Sequence, residues 1–489
     1  MLSPATAHAP SPPPPPWEPV LATFRQIWGY EHFRPPQGEV VQCLLDRRDA
    51  LIVMPTGGGK SICFQLPALL QSGLTLVISP LVALMENQVQ DLKQRHLPAA
   101  LLHSELSPSD RRRTLAALER QQLRLLYLSP ETLLSPSVWN ILSRPHIQIN
   151  GVILDEAHCL VQWGDTFRPT YRRLGAVRPA LLKTKPAGTK IPIAAFTATA
   201  NPHAQAVIQS VLQLDNPRSF LINPYRANLM LKTQVAWTPR GRYQRLRDFI
   251  RAYPHQTGLV YVRTRRDSEA LADRLTQHGL PTAAYHAGLP PQTRRQREQA
   301  WLRGELPFVV CTSAFGMGIN KPDVRWVAHF HPPLLLSEYL QEVGRAGRDG
   351  QPATALALIS EPTGWLDSED KQRQQFFLDR LRSQHQKATQ LLRKLPPQGH
   401  IQTVSQQFPD AAIALATLHS LGQLEWQDPF HYRLHPRSPR QQSGIGPAHT
   451  EIIRYFRTRE CRWQFLLQAF GFTEIAQTFR CGHCDNCHR

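Results

Sequence analysis

The chain has 489 residues, room for about three domains of roughly 150 each, and 42% of them are hydrophobic, which excludes wholesale disorder. Lys and Arg number 56 against 37 Asp and Glu, a formal charge of +19, and 46 of those cations are Arg. That excess points to a polyanion, most simply nucleic acid, although a coding bias toward Arg gives the same composition. No run of 18 apolar residues exists, so a membrane-spanning helix is excluded.

Residues 1–20, with Pro12 to Pro16, read as a disordered Pro-rich tail without an export signal. From 21 to 220, short apolar runs alternate with helical patterns: 50–54, 74–78, 123–128, 151–154 and 193–196. Runs apolar on both faces suit the buried strands of a parallel sheet. The rhythm restarts after Pro224, with runs at 258–262, 282–285, 308–311, 324–328 and 355–359. The expected fold class is therefore α/β, two tandem parallel-sheet domains (21–220 and 221–360) with a ligand cleft between them. A helical stretch over 361–447 follows, its 398–436 part a helix-plus-hairpin pattern that allows a winged-helix insertion or a plain helical linker. Residues 448–489 form a last, cysteine-bearing module.

Met54-Pro-Thr56-Gly57-Gly58-Gly59-Lys60-Ser61 joins an expected strand to an expected helix. Its glycines let backbone N–H groups close on phosphate, Lys60 reaches the outer phosphates, and Ser61 can ligate Mg²⁺. Asp155 and Glu156 end the run 151–154, where sheet ligands bind. Asp155 suits Mg²⁺; Glu156 suits orienting and deprotonating a water. In the second unit, Gln341 precedes Arg345 and Arg348, two cations on one helical face able to neutralise charge on a γ-phosphoryl group. Which of the two Arg serves is open.

Together these segments resemble the RecQ family of DNA helicases, within helicase superfamily two, over about 21–360 and again from near 450. The stretch Gly29 to Gln37 is similar to the family's adenine-recognition motif, implying that Tyr30 and Arg34 flank the base and Gln37 reads its edge. Segments 79–88, 129–131, 196–200 and 312–322 resemble further motor motifs. His158 to Pro169, with Trp163, Phe167 and Arg168, looks like the aromatic-rich loop that couples single-strand binding to hydrolysis. Its rings can stack on bases and its Arg can meet phosphate.

Cys481, Cys484 and Cys487 have the two-residue gaps that wrap one tetrahedral zinc, and a fourth ligand is needed. The resemblance implies Cys461, with nineteen residues between it and Cys481; His483 and His488 are the fallbacks. Arg454, Arg457, Arg459 and Arg462 nearby suit a DNA backbone or a solvated face. Cys43, Cys63, Cys159 and Cys311 stand in apolar contexts and read as buried thiols.

The resemblance implies an enzyme, an ATP-driven helicase moving 3′ to 5′ on single-stranded DNA and unwinding duplex or forked DNA in recombination and repair. ATP, Mg²⁺ and Zn²⁺ are its cofactors, and the bacterial cytoplasm or nucleoid its place. The resemblance is to a short form, expected to be without the C-terminal helical accessory domain. The rival readings are a superfamily-two RNA helicase and a non-catalytic nucleic-acid-binding protein.

Overall fold

The computed structural model describes residues 17–162, 168–316, 319, 321–435 and 445–488. In the first lobe β1 (Ala50–Val53), β2 (Leu74–Ile78), β3 (Ala99–Leu102), β4 (Leu125–Leu128), β5 (Ile149–Leu154), β6 (Ile193–Thr197) and β7 (Arg218–Leu221) form one sheet. Its order is β3-β4-β2-β5-β6-β1-β7, parallel at every pairing. Strands β1, β2, β5 and β6 are buried at every residue. Alternate side chains feed two cores: Leu51 and Val53 join one face, Ala50 and Ile52 the other. That double burial explains why these strands read as continuous apolar runs.

The second lobe repeats the plan with β8 (Leu229–Ala236), β9 (Gly258–Tyr261), β10 (Thr282–Tyr285), β11 (Phe308–Cys311), β12 (Trp326–His329) and β13 (Ala353–Ser360). The order is β10-β11-β9-β12-β13-β8, again all parallel. Gly258 opens β9 beneath the Trp326 indole, and a Cβ there would stand 2.0 Å from the ring. The strand is paired on both sides, to Phe308 and Trp326, so it cannot shift away. We expect Gly258→Ala to lower stability by about 1–3 kcal/mol, read as a reduced unfolding temperature in calorimetry.

After β13 comes a 24-residue helix, Glu369–Leu392. Its root is held to the second lobe by Arg242, which is fully buried and binds Asp367 at 2.9 Å and Asp370 at 3.1 Å. Beyond it, β14 (Gln398–His400), β15 (Leu424–Trp426) and β16 (His431–Leu434) form an antiparallel sheet in the order β14-β16-β15 with helices Ile401–Gln407 and Ala411–Ser420. This module follows the second lobe in sequence but packs on the first. The Arg173 Nε donates to the Pro429 carbonyl at 2.6 Å, and its guanidinium lies over the Trp426 and Phe430 rings. Phe430 meets Trp139 edge-on with centroids 5.4 Å apart. The apolar helix Ala411–Ser420 lies within the module's core, against Glu369–Leu392 and the first lobe's Pro169–Ala176 segment.

Helices Ile445–Arg457, Arg462–Ala469 and Thr473–Thr478 return to the second lobe and share its core through Tyr455, Trp463 and Leu466. Among the described residues, no helix is long and apolar enough to cross a membrane.

Three strands of the two lobes depart from the sequence reading, as does the short β14, where a helix was expected. β3 is a four-residue run behind Pro98, and β7 has only Phe220 buried. β8 alternates buried and half-exposed positions, as an edge strand does, rather than running apolar. Residues 17–20, assigned to the tail, begin the helix Trp17–Trp28, while 1–16 lie outside the described residues. Helix Ile445–Arg457 starts before residue 448, the expected boundary.

Candidate active site and metal centre

The turn after β1 runs directly into helix Lys60–Leu70, so the helix's free first-turn N–H groups face the place a phosphate would take. Gly57 and Gly59 have φ of 83° and 75°, the left-handed region that glycine enters without cost. At Gly59 a Cβ would also fall 2.2 Å from the Gln37 amide nitrogen. That amide is 4% exposed and braces the loop: its Nε2 donates to the Gly58 carbonyl at 3.1 Å, and its Oε1 accepts from the Arg34 N–H at 2.9 Å. Tyr30 is half exposed and rests on Phe24, and the Arg34 side chain is exposed. Ser61 follows Lys60 in the first turn, half-buried.

Asp155 and Glu156 follow β5 directly, at the same edge of the sheet, and are buried. Glu156 has φ 51°, a conformation that costs a non-glycine residue about 1–3 kcal/mol and collects at functional sites. Burial, then the neighbouring Glu156 charge, raise the Asp155 carboxyl above the ordinary range. Burial also opposes ionisation of Glu156, but Lys60, His158 and Arg345 outweigh it and hold that carboxyl below its usual value. The pair thus has one firmly charged member, beside a cation.

The second lobe closes the site. The Thr56 hydroxyl donates across the cleft to the Gly344 carbonyl at 3.0 Å, and Gln341 faces Thr56 and Thr199 in the same crevice. Arg345 is 5% exposed and its guanidinium binds the Gly316 carbonyl. Arg348 donates to the Ile319 carbonyl at 2.6 Å, its stem lying against Gly57. Burial and the adjacent Arg345 cation push Arg348 down to about 10. Among the described residues, the buried Lys60 Nζ, Arg345 Nε and Arg348 Nε have no hydrogen-bond partner. Cations crowded together with spare donors suit a bound polyphosphate.

His158, expected on the strand-binding side, is 1% exposed and turns inward. Its Nδ1 lies 3.1 Å from the Thr197 hydroxyl and 3.3 Å from the Glu156 carboxylate. Arg168 binds Glu131 at 3.0 Å, joining two segments that were read separately. Trp163 and Phe167 lie outside the described residues. Sequence reasoning missed Glu342, next to Gln341. It is 3% exposed, and its carboxylate accepts from His329 at 2.8 Å and Arg263 at 3.0 Å, fixing the helix from which Arg345 follows. Buried acids within a motif helix give no signal of their own in one sequence.

The sulfurs of Cys461, Cys481, Cys484 and Cys487 lie within 4.8 Å of one another. Cys481 and Cys487 are 3.9 Å apart and Cys484 and Cys487 3.5 Å, near the ~3.8 Å edge implied by Zn–S bonds of about 2.3 Å in a tetrahedron. Backbone N–H groups of Cys481 and Cys484 point at sulfurs at 3.3 Å, as thiolates require. The set therefore fits zinc. His483 is not needed: its Nδ1 binds the Cys481 carbonyl and its Nε2 faces the Leu229 carbonyl. Asp485 latches this loop to the edge of the second sheet, its N–H donating to Leu231 and its carboxylate accepting from Thr233. Arg462, expected along a DNA backbone, is instead buried and paired with Asp485. Arg454, Arg457 and Arg459 are exposed.

Two parallel-sheet lobes, with a phosphate loop on one and arginines from the other facing it, define a nucleotide-driven motor of helicase superfamily two. The chain matches the DEAD/DEAH box helicase family over 34–207, the helicase conserved C-terminal domain over 241–350 and the RecQ zinc-binding family over 437–488. It is 54% identical to the Synechocystis ATP-dependent DNA helicase RecQ over 468 residues, 95% of this chain and 97% of that one, and it belongs to the RecQ family of helicases. With the Haemophilus influenzae RecQ it shares 39% identity over 71% of this chain and 54% of that one. Similar solved folds include yeast Dbp5 bound to RNA (TM-score 0.56, 15% identity, 73% of this chain and 91% of that one). Another is Mycobacterium smegmatis Lhr bound to single-stranded DNA (0.56, 20%, 89% and 61%).

Proposed function

We propose that this chain is an ATP-dependent DNA helicase that moves 3′ to 5′ along single-stranded DNA and opens duplex or forked DNA, in recombination and repair in a bacterial cytoplasm or nucleoid. The observation that carries the reading is the convergence of Lys60, Asp155 and Glu156 from one lobe with Arg345 and Arg348 from the other. Glu156, held ionised, accepts a proton from water as the water oxygen bonds to the γ-phosphorus. The bond from that phosphorus to its bridging oxygen breaks, leaving ADP and phosphate. Lys60, Arg345 and Arg348 meet the charge that develops, and Gln37 keeps the loop in shape beside the base. Ser61 and Asp155 would hold a magnesium ion, which would supply further charge neutralisation.

Because the two Arg belong to the other lobe, their grip on the γ-phosphoryl group is lost when it leaves, so closure and opening follow the nucleotide. His158 touches Glu156 and Thr197 together, which supports a link from hydrolysis to the neighbouring strand-binding segment of Trp163, Phe167 and Arg168. The four Cys would hold a zinc ion that would order the loop whose Asp485 fastens the last module to the second lobe. The RecQ-type zinc cluster favours DNA over RNA.

Unwinding of 3′- and 5′-tailed duplexes tests the reading. Strand separation is expected only with ATP and a 3′ tail, with ATP turnover stimulated by single-stranded DNA more than by RNA. Turnover indifferent to oligonucleotide, or stimulated equally by RNA, overturns it.

A further inference from the structure

Two tryptophans stand out in the second lobe: Trp365 is 91% exposed and Trp237 58% exposed. Exposing an indole forfeits the burial that normally holds it, so an exposed pair at one corner marks a contact surface. They share a corner because Ser360 at the end of β13 is paired in register with Ala236 at the end of β8. Trp237 follows Ala236 directly; Trp365 lies in the turn after Ser360.

Both supports are built. The Glu361 carboxylate, 4% exposed, accepts from the backbone N–H groups of Thr363, Trp365 and Leu366, fixing the turn that presents Trp365. Arg242, on helix Pro239–Arg251 directly after Trp237, donates to the Ser360 hydroxyl at 2.6 Å and binds Asp367 and Asp370. One buried cation thus ties the two presenting segments together.

The exposed charge around the corner is mostly positive, with Asp248 an exposed acid beside Arg247. The helix after Trp237 carries exposed Arg240, Arg245 and Arg251. Lys371 packs under the turn at Gly364, and Arg457 reaches the Pro362 carbonyl. Three acids of the turn are consumed inside, Glu361 by backbone and Asp367 and Asp370 by Arg242, and the partly exposed Glu369 is paired with Arg373. Aromatic rings interleaved with exposed cations are the pattern that holds unpaired nucleotides, bases on rings and phosphates on cations.

We infer that the Trp237–Trp365 corner is a second single-stranded DNA contact of this chain, stacking unpaired bases on its indoles with phosphates on Arg240, Lys371 and Arg457. The inference rests on the DNA-helicase reading and adds a contact outside the aromatic-rich loop. A W237A/W365A variant tests it, with W365F as the ring-preserving control; both indoles are exposed, so the fold should tolerate the change. Anisotropy with a labelled oligothymidylate, without ATP, should show affinity weakened about tenfold or more in the double variant and near the parent's in W365F. The oligonucleotide needed for half-maximal ATPase should rise in parallel, with turnover at saturation unchanged. Affinity within twofold of the parent overturns the site, assigns the indoles to a protein surface and leaves the motor assignment standing. A parent that binds DNA without ATPase stimulation overturns the motor assignment instead, and the anisotropy comparison still decides the corner.

Discussion

Lys60→Ala is expected to lower DNA-stimulated ATP turnover on the order of 10²- to 10³-fold or more, the effect of deleting one preorganised charge from a phosphoryl-transfer site. Affinity for single-stranded DNA should stay close to the parent's. The fold should survive, because the Lys60 ammonium makes no hydrogen bond within the described protein and the loop is shaped by Gln37 and the glycines. The measurement is steady-state phosphate release against DNA concentration, beside DNA binding without nucleotide. Undiminished turnover would remove the phosphate loop from the mechanism and with it the reason for two lobes.

Cys484→Ser should have the second large effect. This sulfur is fully buried, close to the Cys487 sulfur, and accepts the Arg462 N–H at 3.5 Å. Binding a structural zinc is coupled to folding, so loss of one ligand removes both metal and local order. Elemental analysis should show zinc falling from near stoichiometric to a small fraction, and the unfolding temperature should drop by several degrees or more. The damage should spread into the second lobe, because Trp463 packs in that lobe's core and donates to the Leu229 carbonyl at 3.1 Å. Full zinc content in the variant would point to a different ligand set.

Much of this was legible in the sequence because the chemistry demands it locally. A phosphate loop needs its glycines, Lys60 and Ser61 within a few residues, and two-residue gaps place three sulfurs around one point. The central strands were legible because double burial leaves few polar positions. Edge strand β8 was not, since one of its edges meets the zinc module and its polar positions mimic a loop. The inward turn of His158 and the Glu342 anchor depend on contacts between distant segments, which no spacing encodes. Arg462 misled for the opposite reason: among exposed arginines its sequence context looks the same, and only Asp485 from the cysteine loop draws it inside.

The module at 398–435 has its root on one lobe and its seat on the other. Helix Glu369–Leu392, about 36 Å long at 1.5 Å per residue, leaves a buried ion-pair anchor and ends in a body held to Trp139 and Arg173 by Phe430 and Trp426. A beam clamped at both ends couples its supports. Any widening of the cleft must be absorbed by flexing that beam or by lifting Phe430 from its socket. The halves of this motor are therefore yoked on the outside as well as through the fuel between them.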